Sequence, residues 1–179
     1  MKMFRPDFDV VRKRVEKSLN MLIRNDIYLF EIDVHERTIA HRLAVYLEKE
    51  FSSWNIDCEY NRIGYDPKLI NPGRRGERKA YPDIIIHHRG TSSNLLAIEM
   101  KKLSAQVDQE TDKDKLKEYI QRLHYKFGLF ILLSTTRSNH SICDGQIFDD
   151  TLKNPHNPTR SNYGICDVQW FDECGRTLS

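Results

Sequence analysis

Residues 81–102, YPDIIIHHRGTSSNLLAIEMKK, place two apolar runs on either side of a polar turn. Such a pattern reads as a β-hairpin. Its interior is almost wholly apolar, so both strands must be covered by other elements. Three side chains depart from that rule at the open end: Asp83, Glu99 and Lys101. Side chains alternate along a strand, so Glu99 and Lys101 share one face while Met100 faces the other way. With the turn centred on Thr91, Asp83 lies opposite Glu99. Directly opposed residues have Cβ atoms ~5 Å apart. Two carboxylates that close repel by ~4 kcal/mol at an effective dielectric of ~20. Either one is protonated or a cation lies between them.

The flanking sequence sets the rest of the architecture. DFDVVRKRVEKSLNMLIRND after Pro6 predicts a helix with Val10, Val11, Val15, Leu19, Leu22 and Ile23 on its apolar stripe. IYLFEI reads as a short strand or a link. DVHERTIAHRLAVYLEKEF predicts a second helix, with Asp33 as N-cap, Glu36 completing a capping box, and Ile39, Ala40, Leu43, Ala44, Leu47 and Phe51 turned inward. NIDCEYNRI predicts a strand, and residues 64–78, rich in Gly and Pro, a long loop expected to be mobile. After the hairpin, VDQETDKDKLKEYIQRLHYKFG predicts a helix with Leu116, Tyr119, Ile120 and Leu123 inward, ending near Gly128. LFILLSTT is apolar throughout, as a strand buried on both faces is. Residues 137–179 read as an irregular tail in which GICDVQWFD forms a last edge strand. The expected fold is α/β: a mixed four-stranded sheet in the order αβββαβ, flanked by helices. The 179 residues make one domain, with a core at about 33–136, an N-terminal helical extension (1–32) and a C-terminal extension (137–179).

Composition narrows the function classes. Charged residues at 30% and hydrophobic ones at 39% suit a globular chain, and a net charge of +2 favours anionic partners only weakly. No apolar run is long enough to span a bilayer, and MKMFRPDFDVV carries no signal-peptide core, so a cytoplasmic protein without a membrane partner is expected. The four cysteines form no CxxC pair. His140, Cys143, Cys166 and Cys174 are the residues a zinc-stabilised interaction domain would use, at spacings wider than zinc sites usually show.

The hairpin cluster itself indicates a chemistry. Oxygen ligands favour Mg²⁺ or Mn²⁺, and such an ion can activate water and bind a phosphate oxygen, with Lys101 beside the attacking water. That is the chemistry of phosphodiester hydrolysis. Pro82-Asp83, a spacer, and Glu99-Met100-Lys101 together resemble the PD-(D/E)XK signature of the restriction-endonuclease-like nuclease superfamily. The HERTIAHRLAVYLEKEF helix and the DCEYNR strand are similar to the start of that superfamily's α-β-β-β-α-β core, and the resemblance covers about residues 33–136. It implies a metal-dependent endonuclease acting on nucleic acid, DNA above all. It further implies Asp83, Glu99 and the Met100 carbonyl as metal ligands, Lys101 as the catalytic lysine, and Glu36 as the glutamate of the first core helix that completes the metal site and assists catalysis through a second ion or a water. A chain of this length leaves little room for a specificity domain, so sequence-selective cutting would call for a homodimer or a partner subunit.

Other charged residues have plainer alternatives. Glu36 is explained by a capping box alone, although it shares a helical face with Ala40, Leu43 and Leu47. Glu59 suits a strand salt bridge with Arg62, and His87 and His88 read as polar residues near the turn. Arg74, Arg75, Arg78 and Lys79, tethered just before Asp83, are either backbone contacts for nucleic acid or a solvated loop. Lys113, Lys115 and Lys117 read as a solvated helix face. A second function class remains open: a catalytically silent nuclease-fold module that binds nucleic acid or a protein partner.

Overall fold

The structure is a computed structural model that describes residues 6–63, 65–70, 76, 78–103, 109–135 and 164–178. Helix α1 (Phe8–Glu31) starts at Asp7, whose carboxylate accepts the Val10 N–H at 3.0 Å. Of its predicted stripe Val11, Val15, Leu19 and Leu22 are buried, Ile23 is half-buried and Val10 is exposed. The helix runs on through IYLFEI, where a strand or link was expected. It kinks at Asp26 (φ −127°, ψ 21°), whose carboxylate takes hydrogen bonds from Arg42 and Tyr46 of the next helix. Local β-propensity in this run yields to tertiary packing, because continuing the helix buries Phe30 in the core.

Helix α2 (Glu36–Glu50) buries Ile39, Ala40, Leu43, Ala44 and Leu47. The expected capping box does not form. His35 is the N-cap, accepting the Arg37 N–H on its side chain at 3.2 Å. Asp33 takes a left-handed conformation (φ 53°) and accepts hydrogen bonds from Lys102 Nζ at 2.7 Å and Thr135 Oγ1 at 2.5 Å. An anion facing an ammonium gains more than one facing a single backbone N–H, and that frees Glu36 from capping.

Strand β1 (Asn55–Cys58) stops short of Ile63 because Glu59 adopts φ 51°. Part of the expected loop is pinned by two ladders of two residues: β2 (Arg62–Ile63) pairs with β3 (Asp66–Pro67), and β4 (Leu69–Ile70) with β5 (Arg78–Lys79). Lys68, between them, is 1% exposed and donates to the Tyr60 carbonyl and the Tyr125 hydroxyl. The hairpin follows as β6 (Ile84–His87) and β7 (Asn94–Lys102), paired symmetrically about Thr91 until a bulge at His87. Helix α3 (Gln109–Leu123) ends five residues before Gly128, which lies instead inside β8 (Phe127–Ser134). A Cβ at Gly128 would come within 3.1 Å of Ile120, so this glycine permits a close approach of helix to sheet rather than capping the helix.

The sheet has six strands where a four-stranded core and a last edge strand at GICDVQWFD were expected. β8 runs parallel to β7, and β9 (Gly164–Phe171) and β10 (Thr177–Leu178) extend it antiparallel, giving the order β1-β6-β7-β8-β9-β10. The final residues are therefore ordered sheet, with β10 rather than β9 at the edge. Trp170 of β9 seats edge-on against Phe8 of α1, at 5.3 Å between ring centroids, so the two ends of the described chain pack together.

Alternation along β6–β8 divides the interior. Ile84, Ile86, Leu96, Ile98, Met100, Leu129 and Ile131 join the core formed with α1 and α2. Ile85, Ala97, Phe130 and Leu132 join Leu116, Tyr119 and Ile120 of α3 on the other face. Among the described residues no helix is long and apolar enough to cross a membrane.

Candidate functional site

At the open end of the hairpin a cavity of about 440 Å³ is lined by Glu36, Asp83, Glu99, Met100, Lys101, Asp112 and Lys115, with His35, Arg37, Glu59 and Tyr81 also on its wall. Four elements meet here. The β6–β7 register, carried one step past Ile84–Ile98, sets Asp83 opposite Glu99 on the α3 face. Asp83 Oδ2 accepts the Met100 N–H at 2.7 Å. In an extended strand the N–H and C=O of one residue point the same way, so the Met100 carbonyl lies on the Asp83 side, while its side chain is buried in the α1–α2 core. Glu36 reaches across from the first turn of α2, its Oε2 accepting the Lys102 N–H at 2.6 Å. The four positions proposed for the site and the Met100 backbone thus converge on one cavity.

Three further participants come from α3 and were not recognised in the sequence. Tyr119 donates its hydroxyl to Glu99 Oε1 at 2.9 Å. Lys115 lies 2.5 Å from Asp112 Oδ1 and 3.6 Å from Glu99 Oε2, so it is not the solvated surface lysine expected. Lys113 and Lys117 do pair locally, with Glu110 and Asp114. Asp112 is buried, and Lys101 Nζ stands 3.6 Å from its Oδ2. The available signal was the helical offset of Asp112, Lys115 and Tyr119, which share the inward face of α3 with Leu116. Polar residues there need partners in the interior.

The electrostatics follow from burial. Desolvation pushes the Asp83 carboxyl up to about 6, against the opposing pull of the Met100 N–H. Glu99 is pushed up to about 8, first by desolvation and then by the charge of Asp83, while Lys115 and Tyr119 work the other way. Burial opposes the Lys115 charge, yet Glu99 and Asp112 hold its ammonium above the ordinary value. Glu99 raises Tyr119 further still, on top of desolvation, so the phenol stays a donor.

Oxygen donors of this kind suit Mg²⁺ or Mn²⁺, and Mg²⁺ is commonly held by one or two carboxylates with water completing its shell. Asp83 and Glu99 with the Met100 carbonyl match that donor set. Among the described residues no three His, Cys, Asp or Glu side chains are already gathered as a metal-holding group. Each carboxylate is engaged instead with a backbone N–H, a hydroxyl or a lysine.

Other candidates lie elsewhere. Glu59 pairs with Arg37 at 2.6 Å, not with Arg62, because the left-handed turn at Glu59 directs it toward α2. His87 is buried against Asp57, 2.8 Å away, and His88 stacks on Trp54. Lys79 is exposed on β5, whereas Arg74, Arg75 and the Arg78 side chain lie outside the described residues. His140 and Cys143 also lie outside them; Cys166 and Cys174 are in no disulfide. Exposed Tyr81, His35 and Arg37 form the cavity rim. Comparison with protein-family models, with curated proteins and with solved structures finds no match to this chain.

Proposed function

We propose that this protein is a Mg²⁺- or Mn²⁺-dependent nuclease hydrolysing phosphodiester bonds, DNA being the favoured substrate, on a restriction-endonuclease-like core. The observation that carries the reading is the placement of Asp83 across from Glu99, with Lys101 on the same strand face, around one open cavity. The order α2, β1, β6, β7, α3, β8 supports the core assignment, since it runs αβββαβ with β7 and β8 parallel.

In this reading Asp83, Glu99 and the Met100 carbonyl hold the ion, which when bound supplies Lewis acidity toward the phosphate and an activated water. Lys101, its side chain 18% exposed at the cavity and 3.6 Å from Asp112, orients that water and offers its charge to the phosphate. Glu36 ties α2 to the end of β7 through the Lys102 N–H, holding the strand where the carboxylates must stand. Arg37 at the rim and Lys79, exposed two residues before Tyr81, offer positive charge for the nucleic-acid backbone. Water adds to phosphorus, the phosphodiester P–O bond breaks, and the leaving oxygen takes a proton.

The test is cleavage of plasmid, linear and single-stranded DNA and of RNA, with and without Mg²⁺ or Mn²⁺, by the wild type and Lys101→Ala. Metal-dependent cutting that Lys101→Ala lowers by at least about 100-fold is expected. No cutting of any substrate, or equal cutting by the variant, refutes the nuclease reading. Nucleic-acid binding without cutting favours the silent binding module, for which the engaged carboxylates are the supporting observation.

A further inference from the structure

The cavity contains two lysines, and the proposed chemistry uses one. Lys115 sits one helical turn after Asp112 on α3 and is held between two carboxylates: Asp112 Oδ1 at 2.5 Å and Glu99 Oε2 at 3.6 Å. Both carboxylates are deeply buried, with side-chain exposures of 6% and 5%. The other oxygen of Asp112, Oδ2, is buried and has no hydrogen-bond partner among the described residues, although it lies in the cavity wall 3.6 Å from Lys101 Nζ. A buried carboxylate oxygen that no hydrogen-bond donor satisfies is costly, and with the Lys101 ammonium facing it at 3.6 Å its surroundings favour a cation.

Charge accounting sharpens the point. Apart from the Arg37–Glu59 ion pair, whose charges cancel, the cavity collects four carboxylates (Glu36, Asp83, Glu99 and Asp112) and two lysines (Lys101 and Lys115). Fully ionised, they leave two negative charges unbalanced, which one divalent cation cancels. Without Lys115 the imbalance grows to three, and Glu99 and Asp112 together would present two facing carboxylates to solvent cations. An ammonium anchored to a helix differs from an ion in one respect: it does not exchange.

We propose that Lys115 is a resident cation of the site, occupying the space between Glu99 and Asp112 so that the cavity accepts one divalent ion where the same carboxylates alone would accept two. The inference rests on the metal-dependent reading above and specifies its stoichiometry. A second divalent ion is opposed by the fixed ammonium, which already engages Asp112 Oδ1 and Glu99 Oε2.

The experiment is Mn²⁺ titration of the full chain without nucleic acid, by calorimetry and by electron paramagnetic resonance of free Mn²⁺. One ion per chain is expected for the wild type and two for Lys115→Met, which keeps the length of the side chain but not its charge. Lys115→Gln, which still donates to Asp112, is expected to match Lys115→Met, so a folding defect in one leaves the other to decide. Lys115→Arg and the double variant Lys115→Met/Asp112→Asn should each return to one ion. Two ions bound by the wild type, or an unchanged count and affinity in the neutral variants, overturn the role of Lys115 while leaving the metal reading intact. No ion bound by any of these proteins overturns the metal reading, and this inference with it.

Discussion

Replacing Glu99 with Gln should stabilise the metal-free protein at alkaline pH, an outcome opposite to that of most buried substitutions. Glu99 is 4% exposed and its carboxyl is pushed up from 4.5 to about 8. Because the folded pKa lies above the unfolded one, the unfolded chain releases this proton first. Stability therefore falls as pH rises from about 4.5 to about 8. A rise of that size corresponds to a penalty of about 5 kcal/mol at ~1.36 kcal/mol per pH unit, an upper limit. Gln keeps an acceptor for the Tyr119 hydroxyl, and the attraction of Lys115 for the anion is already contained in the shifted value. The expected gain is at most ~5 kcal/mol at pH 8.5, vanishing near pH 5. Urea denaturation with chelator at both pH values measures it. Mg²⁺ at pH 8.5 should stabilise the wild type and leave the variant nearly unmoved. A variant less stable than wild type at both pH values, or parallel pH profiles for the two, would refute the claim that burial of Glu99 outweighs what Lys115 and Tyr119 return.

Three other outcomes follow from the packing. Gly128→Ala should cost ~1–3 kcal/mol, because the new Cβ meets Ile120 at 3.1 Å between α3 and β8; thermal melting reads this directly. Trp170→Ala should cost ~3–5 kcal/mol and loosen α1, since Phe8 keeps Phe127 but loses its edge-on contact with Trp170; hydrogen exchange of the α1 amides locates the effect. Burial lowers the Lys68 ammonium from 10.5 to about 8, so the folded state sheds this proton first and stability rises between those values. Lys68→Met should remove that rise, and an unchanged profile between pH 8 and 10 would show that Lys68 is not buried as a cation.

Much of the site was legible because strand geometry is local. Alternation and turn symmetry are enough to place Asp83 opposite Glu99 and to separate Met100 from its neighbours, and the structure repeats that register as far as the bulge at His87. The apolar stripes of α1, α2 and α3 were equally readable, since period alone reports which face is buried. Errors arose where a distant partner outweighed a local preference. Asp33 looks like an N-cap until Lys102 and Thr135, far along the chain, arrive beside it. IYLFEI looks extended until the α1–α2 seam buries Phe30. Gly128 looks like a helix stop until Ile120 is seen above it.

The α3 residues mark the same boundary within the site. Asp112, Lys115 and Tyr119 share the inward face of α3 with Leu116, but their spacing does not tell that this face meets Glu99. Hydrophobic period and strand alternation act over a few residues, so the chain by itself determined its helices, its hairpin register and the acidic pair. Which charges come together across α2, α3 and β7 depends on how sheet and helices pack. That depends on long-range burial, and only the tertiary structure decided it.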